Sequence, residues 1–142
     1  MEDIESFSTK LRRIARLYTI SLSNLLNNFD INKYFDVLLI LARQNQPVTQ
    51  KQLAASMHID KSRIVAMLRY LQQKQYVDIE KNPNDRRQHF VKLSTKGAKS
   101  IPLINEALIE NDRIICRNIK ENEFESCLFT LSIIEKSLIN VV

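Results

Sequence analysis

The chain has 142 residues, of which 44% are hydrophobic and 26% charged, with one glycine, three prolines and no tryptophan. This composition is typical of a single globular domain and excludes a disordered chain, and so few turn-forming residues argue against an all-β fold. The net charge of +5 is concentrated in residues 61–99, which hold ten Lys and Arg against three Asp and Glu. A local basic surface of this kind is typical of a protein that binds a polyanion.

Several other functions find no support in the residues. No apolar run approaches the roughly 20 residues that span a bilayer, and the acidic start of the chain is unlike a signal peptide, so we expect a cytoplasmic protein with no membrane partner. Cys116 and Cys127 do not make a secreted disulfide framework, and we expect them to be buried. His58 and His89 have no metal-ligand spacing. With no catalytic triad and no glycine-rich phosphate loop, we expect no enzyme, no metal and no cofactor.

The first predicted elements are two helices. Apolar residues at steps of three and four predict a long amphipathic helix within residues 1–28, and Asp30 is placed to cap a second helix that runs to Arg43 before Pro47. The apolar stripe of the first helix consists of Ile4, Phe7, Leu11, Ile14, Tyr18, Leu22 and Leu25.

A helix-turn-helix is predicted next. Thr49 and Gln52 have the spacing of a capping box, which starts a short helix over about 49–57. Asp60 can cap the next helix, over about 60–74, with Ile64 and Leu71 facing inward. Two such helices joined by a short turn form a helix-turn-helix, and the second is the recognition helix.

The remainder completes a winged domain. Segments 76–80 and 89–93 have β character and flank a turn-rich basic loop with its tip at Asn84–Arg87, so that 76–93 reads as a wing. Ser94 can cap a long helix, and a last helix is predicted over about 121–140. We therefore predict a mainly α protein with a small β wing. One domain, 1–142, comprises a winged helix-turn-helix of 30–99 flanked by terminal helices, 1–28 and 100–142, whose apolar stripes indicate a homodimer.

The motif residues resemble those of MarR-type bacterial transcription regulators. The strings from Pro47 to Ala54 and from Ile59 to Ser62 are similar to the family's helix-turn-helix. The string Asn82–Arg87, followed by Leu93-Ser94 and Gly97, is similar to its wing signature and is the more specific match. Where the family often has glycine, the two motif helices end here at His58 and Gln75, and must do so without the easy left-handed cap that glycine supplies.

The resemblance implies a partner in double-stranded DNA, and the residue chemistry indicates the contacts. Arg63 is the best candidate for a base contact, one of the wing arginines is expected to enter the minor groove, and Asp85 is expected to hold the wing by an ion pair. Other side chains are expected on phosphates. The predicted DNA-binding residues are Thr49, Gln50, Lys51, Lys61, Ser62, Arg63, Arg69, Arg86 and Arg87.

The expected function is sequence-specific transcription regulation. The resemblance implies a repressor released by a small-molecule effector, aromatic or lipophilic, in a pocket to which Tyr18, Tyr34 and Phe35 could contribute. Core packing explains these three residues equally well. The alternative is a ligand-independent or architectural DNA-binding factor.

Overall fold

The computed structural model describes residues 2–27, 29–31 and 33–142, with side chains described from residue 6 onward. These residues divide into two compact units, 1–108 and 109–142. The architecture is mainly helical with one small sheet, which confirms the predicted fold class. The elements are α1 (Glu2–Leu25), α2 (Phe35–Ala42), β1 (Val48–Thr49), α3 (Gln50–Met57), α4 (Lys61–Gln73), β2 (Val77–Asn82), β3 (Asp85–Leu93), α5 (Thr95–Cys116) and α6 (Glu121–Val141).

The core of the first unit lies beneath the helix-turn-helix. Leu53 of α3 and the α4 residues Ile64, Leu68 and Leu71 are fully buried, together with Leu38 of α2. Burying each such side chain contributes about 1.5–3 kcal/mol. Because α3 and α4 both pack their apolar faces on this core, their polar faces are exposed.

The second helix begins later than the sequence predicts. It starts at Phe35, and its N-cap position is taken by Tyr34 with φ 67°, without a side-chain cap. The prediction that Asp30 caps this helix is wrong, because the Asp30 carboxylate instead pairs with Tyr76 and Lys96. A contact with residues far along the chain has replaced a local one.

The sheet has three antiparallel strands in the order β1-β3-β2. The predicted wing is confirmed in outline, but its strands extend further than 76–80 and 89–93, and only Pro83 and Asn84 form the turn. The sequence gives little sign of β1, whose Val48 pairs with Val91 of β3. This pairing ties the start of α3 to the wing.

Both motif helices end at a residue that has the left-handed conformation although it is not glycine. His58 has φ 54° and Gln75 has φ 67°. After α3, the N–H of Ile59 donates to the carbonyl of Ala54, and after α4 the N–H of Tyr76 donates to the carbonyl of Leu71. These bonds satisfy carbonyls at the helix ends, so the turn geometry is retained at a cost in backbone strain.

The terminal helices expose apolar side chains in a single chain. On α1, Phe7, Ile14 and Leu17 are about half exposed, whereas the side chain of Ile4 lies outside the described residues. On α6, large apolar residues are exposed along the helix, among them Phe124, Leu128, Phe129, Leu131 and Leu138. The expectation that both cysteines are buried is wrong for the single chain, since Cys116 is half-buried and Cys127 exposed. Within the described residues, no helix is at once long and apolar enough to cross a membrane.

Candidate nucleic-acid interface

The N-terminus of α3 carries the first group of predicted contacts. Thr49 forms the predicted capping box: its hydroxyl oxygen accepts the N–H of Gln52 at 3.1 Å, and its own N–H donates to Oε1 of Gln52 at 3.0 Å. Lys51 is exposed beside it, and Thr49 and Gln50 are half-buried. The capping box accepts through the Thr49 oxygen, so the hydroxyl hydrogen can still be donated to a phosphate oxygen.

The outer face of α4 is polar and opposite the core. Ser62, Ala66, Arg69 and Gln73 are all exposed, at steps of four, three and four, which place them on one side of the helix. Arg63 is also exposed but is rotated toward one flank of this face. The predicted contacts on α4 therefore divide between the face centre and its edge.

The N-terminus of α4 is already occupied by a carboxylate. Asp60 caps the helix, and its Oδ1 accepts the N–H of Arg63 at 2.8 Å and the hydroxyl of Ser62 at 2.6 Å. The Ser62 hydroxyl, followed by the Arg63 N–H, lowers the pKa of the Asp60 carboxyl below its ordinary value. A negative charge here disfavours the phosphate that we expected at this helix end, and the Ser62 hydrogen is directed to Asp60.

The wing arginines stand in an irregular part of the hairpin. Lys81 pairs with His89 and Asn82 with Asp85, so three residues of β3, including Arg86 and Arg87, are opposed by no residue of β2. Such a bulge re-aims side chains and increases the local twist. Both arginines are exposed.

Asp85 supports this bulge differently from the prediction. Its Oδ1 accepts the backbone N–H of Arg87 at 3.0 Å. Within the described part of the chain, neither arginine forms an ion pair with Asp85, so the expected pair is wrong. Because the carboxylate holds the backbone, the guanidinium groups of Arg86 and Arg87 are available to a ligand.

The end of α4 is held by the start of α5, in what we call the helix-exit junction. It comprises the carbonyl groups of Lys74, Gln75 and Tyr76 with the residues that bind them. Lys96 Nζ donates to the Lys74 carbonyl at 2.9 Å. The Ser94 hydroxyl donates to the Gln75 carbonyl at 2.6 Å, and the Ser94 N–H donates to the Tyr76 carbonyl at 3.1 Å. Three successive carbonyls at the exit of the recognition helix are thereby satisfied.

Gly97 completes this junction for a steric reason. Its N–H donates to the Ser94 hydroxyl oxygen at 3.0 Å. A Cβ on Gly97 would lie 2.0 Å from the Tyr76 carbonyl oxygen and 3.2 Å from Cδ2 of Leu93. The Leu-Ser-glycine spacing noted in the sequence thus fixes the approach of α5 to the exit of α4.

Asp30 and Lys96 join the junction to the segment before α2. Lys96 Nζ lies 2.8 Å from Asp30 Oδ2 and 4.5 Å from the centre of the Tyr76 ring, while the Tyr76 hydroxyl donates to the other Asp30 oxygen. Lys96, and then Tyr76, lower the pKa of the Asp30 carboxyl. Burial, and then the Asp30 carboxylate, raise the pKa of the Tyr76 hydroxyl. The network therefore holds a carboxylate and a neutral phenol.

A cavity of about 730 Å³ opens beside this network. Apolar and aromatic surface from Phe29, Tyr76 and Leu103 lines it, together with the Asp30 carboxylate and the cationic groups of Lys96 and Lys99. Mainly apolar surface with a few polar groups is typical of small-molecule sites.

The three residues predicted for a ligand pocket are not among those that line this cavity. Phe35 is buried in the core, Tyr34 packs edge-to-face on Tyr70, and Tyr18 is half-buried on α1. The contacts that Asp30, Lys96 and Gly97 make at the helix-exit junction could not be predicted from the sequence, because they join segments that are distant in the chain.

Known proteins with sequence similarity to this chain belong to a family of transcription regulators. Residues 30–88 match the family model described as the MarR family. A protein of Thauera aromatica assigned as a transcriptional regulator of the hcr operon is 25% identical over 89 residues, which cover 63% of this chain and 53% of the relative. The match thus spans about half the length of that protein.

Solved structures share the fold over nearly the whole chain. The S. aureus MepR–DNA complex superposes with a TM-score of 0.84 at 22% identity, covering 92% of this chain and 97% of that chain. A mutant of E. coli MarR complexed with operator DNA superposes with a TM-score of 0.83 at 23% identity, covering 93% and 95%.

Proposed function

We propose that this chain, which belongs to the MarR family through the winged helix-turn-helix of residues 30–88, is a dimeric, sequence-specific DNA-binding transcription regulator. The observation that carries the proposal is the joint presence of an exposed polar face on α4 and two exposed arginines on a wing bulge beside it in the chain. The relatives solved with DNA support the same partner. Such a protein acts in the cytoplasm, where bacterial DNA lies.

The recognition helix reads bases in the major groove. Arg63 offers a bidentate guanidinium to guanine, and the Ala66 methyl group at the centre of the exposed face suits a thymine methyl. Lys61 at the start of the helix and Arg69 farther along it bind phosphates. With Thr49, Gln50 and Lys51 at the start of α3, these contacts fix the register on the duplex.

The wing reads the adjacent minor groove. Arg86 and Arg87 are exposed on a bulge whose backbone is held by Asp85, so one guanidinium can enter a narrow A·T-rich groove while the other binds the backbone. The entropic cost of ordering the wing on binding is reduced, because Asp85 already fixes its backbone in the DNA-free protein.

A second copy of the chain completes the binding unit. Both α1 and α6 expose many large apolar side chains, and contiguous apolar surface of this kind marks interaction sites. A two-fold dimer would bury them and set two recognition helices about one helical turn, roughly 34 Å, apart on a palindrome. Leu128→Asp in α6 should shift the chain toward monomer in sedimentation analysis and weaken DNA binding with it.

Titration of labelled duplexes at rising salt tests DNA binding. We expect the logarithm of affinity to fall linearly with the logarithm of salt concentration. Arg87→Ala should reduce that slope by about 0.9 for each protomer, or about 1.8 for the dimer, on every sequence, whereas Arg63→Ala should relax preference at one base pair of each half-site by about 1–3 kcal/mol. If the wild-type protein binds no duplex even at low salt, the proposed function is wrong.

The cavity beside Lys96 is the candidate effector site of a repressor. A small aromatic or lipophilic acid paired with Lys96 would compete with Asp30 and disturb the Lys74 carbonyl at the exit of α4. Such a ligand releases DNA only if it binds the DNA-free arrangement more tightly. The test is release of labelled duplex by benzoate-like compounds, with Lys99→Gln as the variant of reduced response. Failure of every such compound would favour the ligand-independent alternative.

A further inference from the structure

Lys33 occupies an unusual place between α1 and α2. Its ammonium nitrogen lies 4.6 Å from the centre of the Tyr70 ring and 5.1 Å from the centre of the Tyr34 ring. The two rings meet edge to face, with centroids 5.3 Å apart and an interplanar angle of 83°. One cation is therefore held over two aromatic rings, although the side chain is exposed.

This arrangement places the cation beside the recognition helix. Tyr70 is a half-buried residue of α4, seven positions after Arg63, so both lie on the same flank of the helix about 10 Å apart along its axis. The major groove is roughly 12 Å wide, and a helix with its side chains is roughly 10–12 Å across. A cation on the flank of an inserted helix therefore lies close to a sugar–phosphate wall.

The charge of Lys33 is not neutralised inside the protein. Among the described residues it belongs to no ion pair, and the nearby Asp30 is already bound to Lys96 and Tyr76. A second cation lies close by, because Lys74 Nζ is 6.0 Å from the centre of the same Tyr70 ring. The flank thus presents two positive charges around one tyrosine.

We propose that Lys33, held over Tyr34 and Tyr70, binds a phosphate of the DNA backbone from outside both the helix-turn-helix and the wing. This inference rests on the proposed function, to which it adds a contact. Ordering a free lysine side chain on binding costs conformational entropy, and the cation–π contacts already restrict Lys33 before DNA binds. The contact is to the backbone, so it raises affinity for all sequences alike.

The experiment compares the salt dependence of DNA binding between matched variants. Dissociation constants of one labelled duplex are measured from 50 to 200 mM salt for the wild-type protein, Lys33→Gln, Lys33→Arg and Lys136→Gln. The last variant removes an exposed charge on α6 and serves as the control. Folding is checked by circular dichroism and the dimer by sedimentation.

A lost phosphate contact has a distinct signature. For Lys33→Gln we expect the log–log slope to become shallower by about 0.9 for each protomer, or about 1.8 for the dimer, so that its defect relative to wild type shrinks about 12-fold between 50 and 200 mM salt. Lys33→Arg and Lys136→Gln should keep the wild-type slope. Tyr70→Leu, which removes the ring but keeps the lysine, should weaken binding with the slope retained.

The outcomes separate the inference from the proposed function. If the wild-type protein binds DNA but Lys33→Gln keeps the wild-type slope, Lys33 has only a structural role and the inference is wrong. If Lys136→Gln lowers the slope as much as Lys33→Gln, the effect is general electrostatics and the inference is again overturned. Absence of DNA binding by the wild-type protein would instead refute the proposed function.

Discussion

Replacement of Gly97 by alanine tests the helix-exit junction most directly. Gly97 lies in the first turn of α5, where an alanine would normally raise helix stability by about 0.8–1.0 kcal/mol. The structure predicts the opposite sign, because the added Cβ would lie 2.0 Å from the Tyr76 carbonyl oxygen. That atom is backbone and cannot rotate away as a side chain would.

The size of the effect follows from what must move. An ordinary contact between carbon and oxygen needs more than 3 Å, so the Tyr76 carbonyl and Gly97 must separate by about 1 Å or more. That shift would stretch the bond from the Ser94 N–H to the same carbonyl, which is 3.1 Å in the native protein. Overpacking against a rigid neighbour costs about 1–3 kcal/mol, and loss of a hydrogen bond adds about 0.5–1.5 kcal/mol. We expect Gly97→Ala to destabilise the protein by about 0.5–3.7 kcal/mol after the helix gain is subtracted.

Chemical denaturation followed by circular dichroism measures this difference. The denaturation midpoint of Gly97→Ala should fall, at a fixed chain concentration because dimerisation contributes to stability. The neighbouring Ala98→Gly is the control, since Ala98 is exposed and the change should cost only about 1 kcal/mol through helix propensity. If Gly97→Ala were neutral or stabilising, the approach of α5 to Tyr76 would not be as close as described.

Four further substitutions probe other parts of the domain. His58→Gly and Gln75→Gly should each raise the thermal unfolding midpoint, because each position has positive φ and glycine relieves about 1 kcal/mol there; a decrease for both would contradict this reading. Thr49→Ala should lower the free energy of unfolding by about 1 kcal/mol in urea titrations through loss of the capping box, and an unchanged midpoint would show that the cap is dispensable. Asp30→Asn should be less stable than wild type at pH 7. Because Lys96 and Tyr76 lower the pKa of the Asp30 carboxyl in the folded state, this difference in stability should fade as the pH drops below about 4. A difference that stays constant across a pH series would refute the ion-pair role.

Features set by neighbouring residues were predictable from the sequence. The capping box of Thr49, the cap at Asp60 and the helix ends at His58 and Gln75 each depend on a few consecutive residues. The wing followed in outline from two β-rich segments, and the basic surface from counting charges. For the same reason, the residues expected on DNA could be named without coordinates, although their contacts remain predictions.

Only the tertiary structure decided which distant groups meet. The sequence placed Asp30 as a helix cap, but its carboxylate binds Tyr76 and Lys96, which lie 46 and 66 positions further along the chain. The third strand, the steric requirement for Gly97 and the rings over which Lys33 lies were hidden for the same reason. Periodicity and capping are short-range properties of a sequence, whereas these contacts exist only once the apolar core has brought separate segments together.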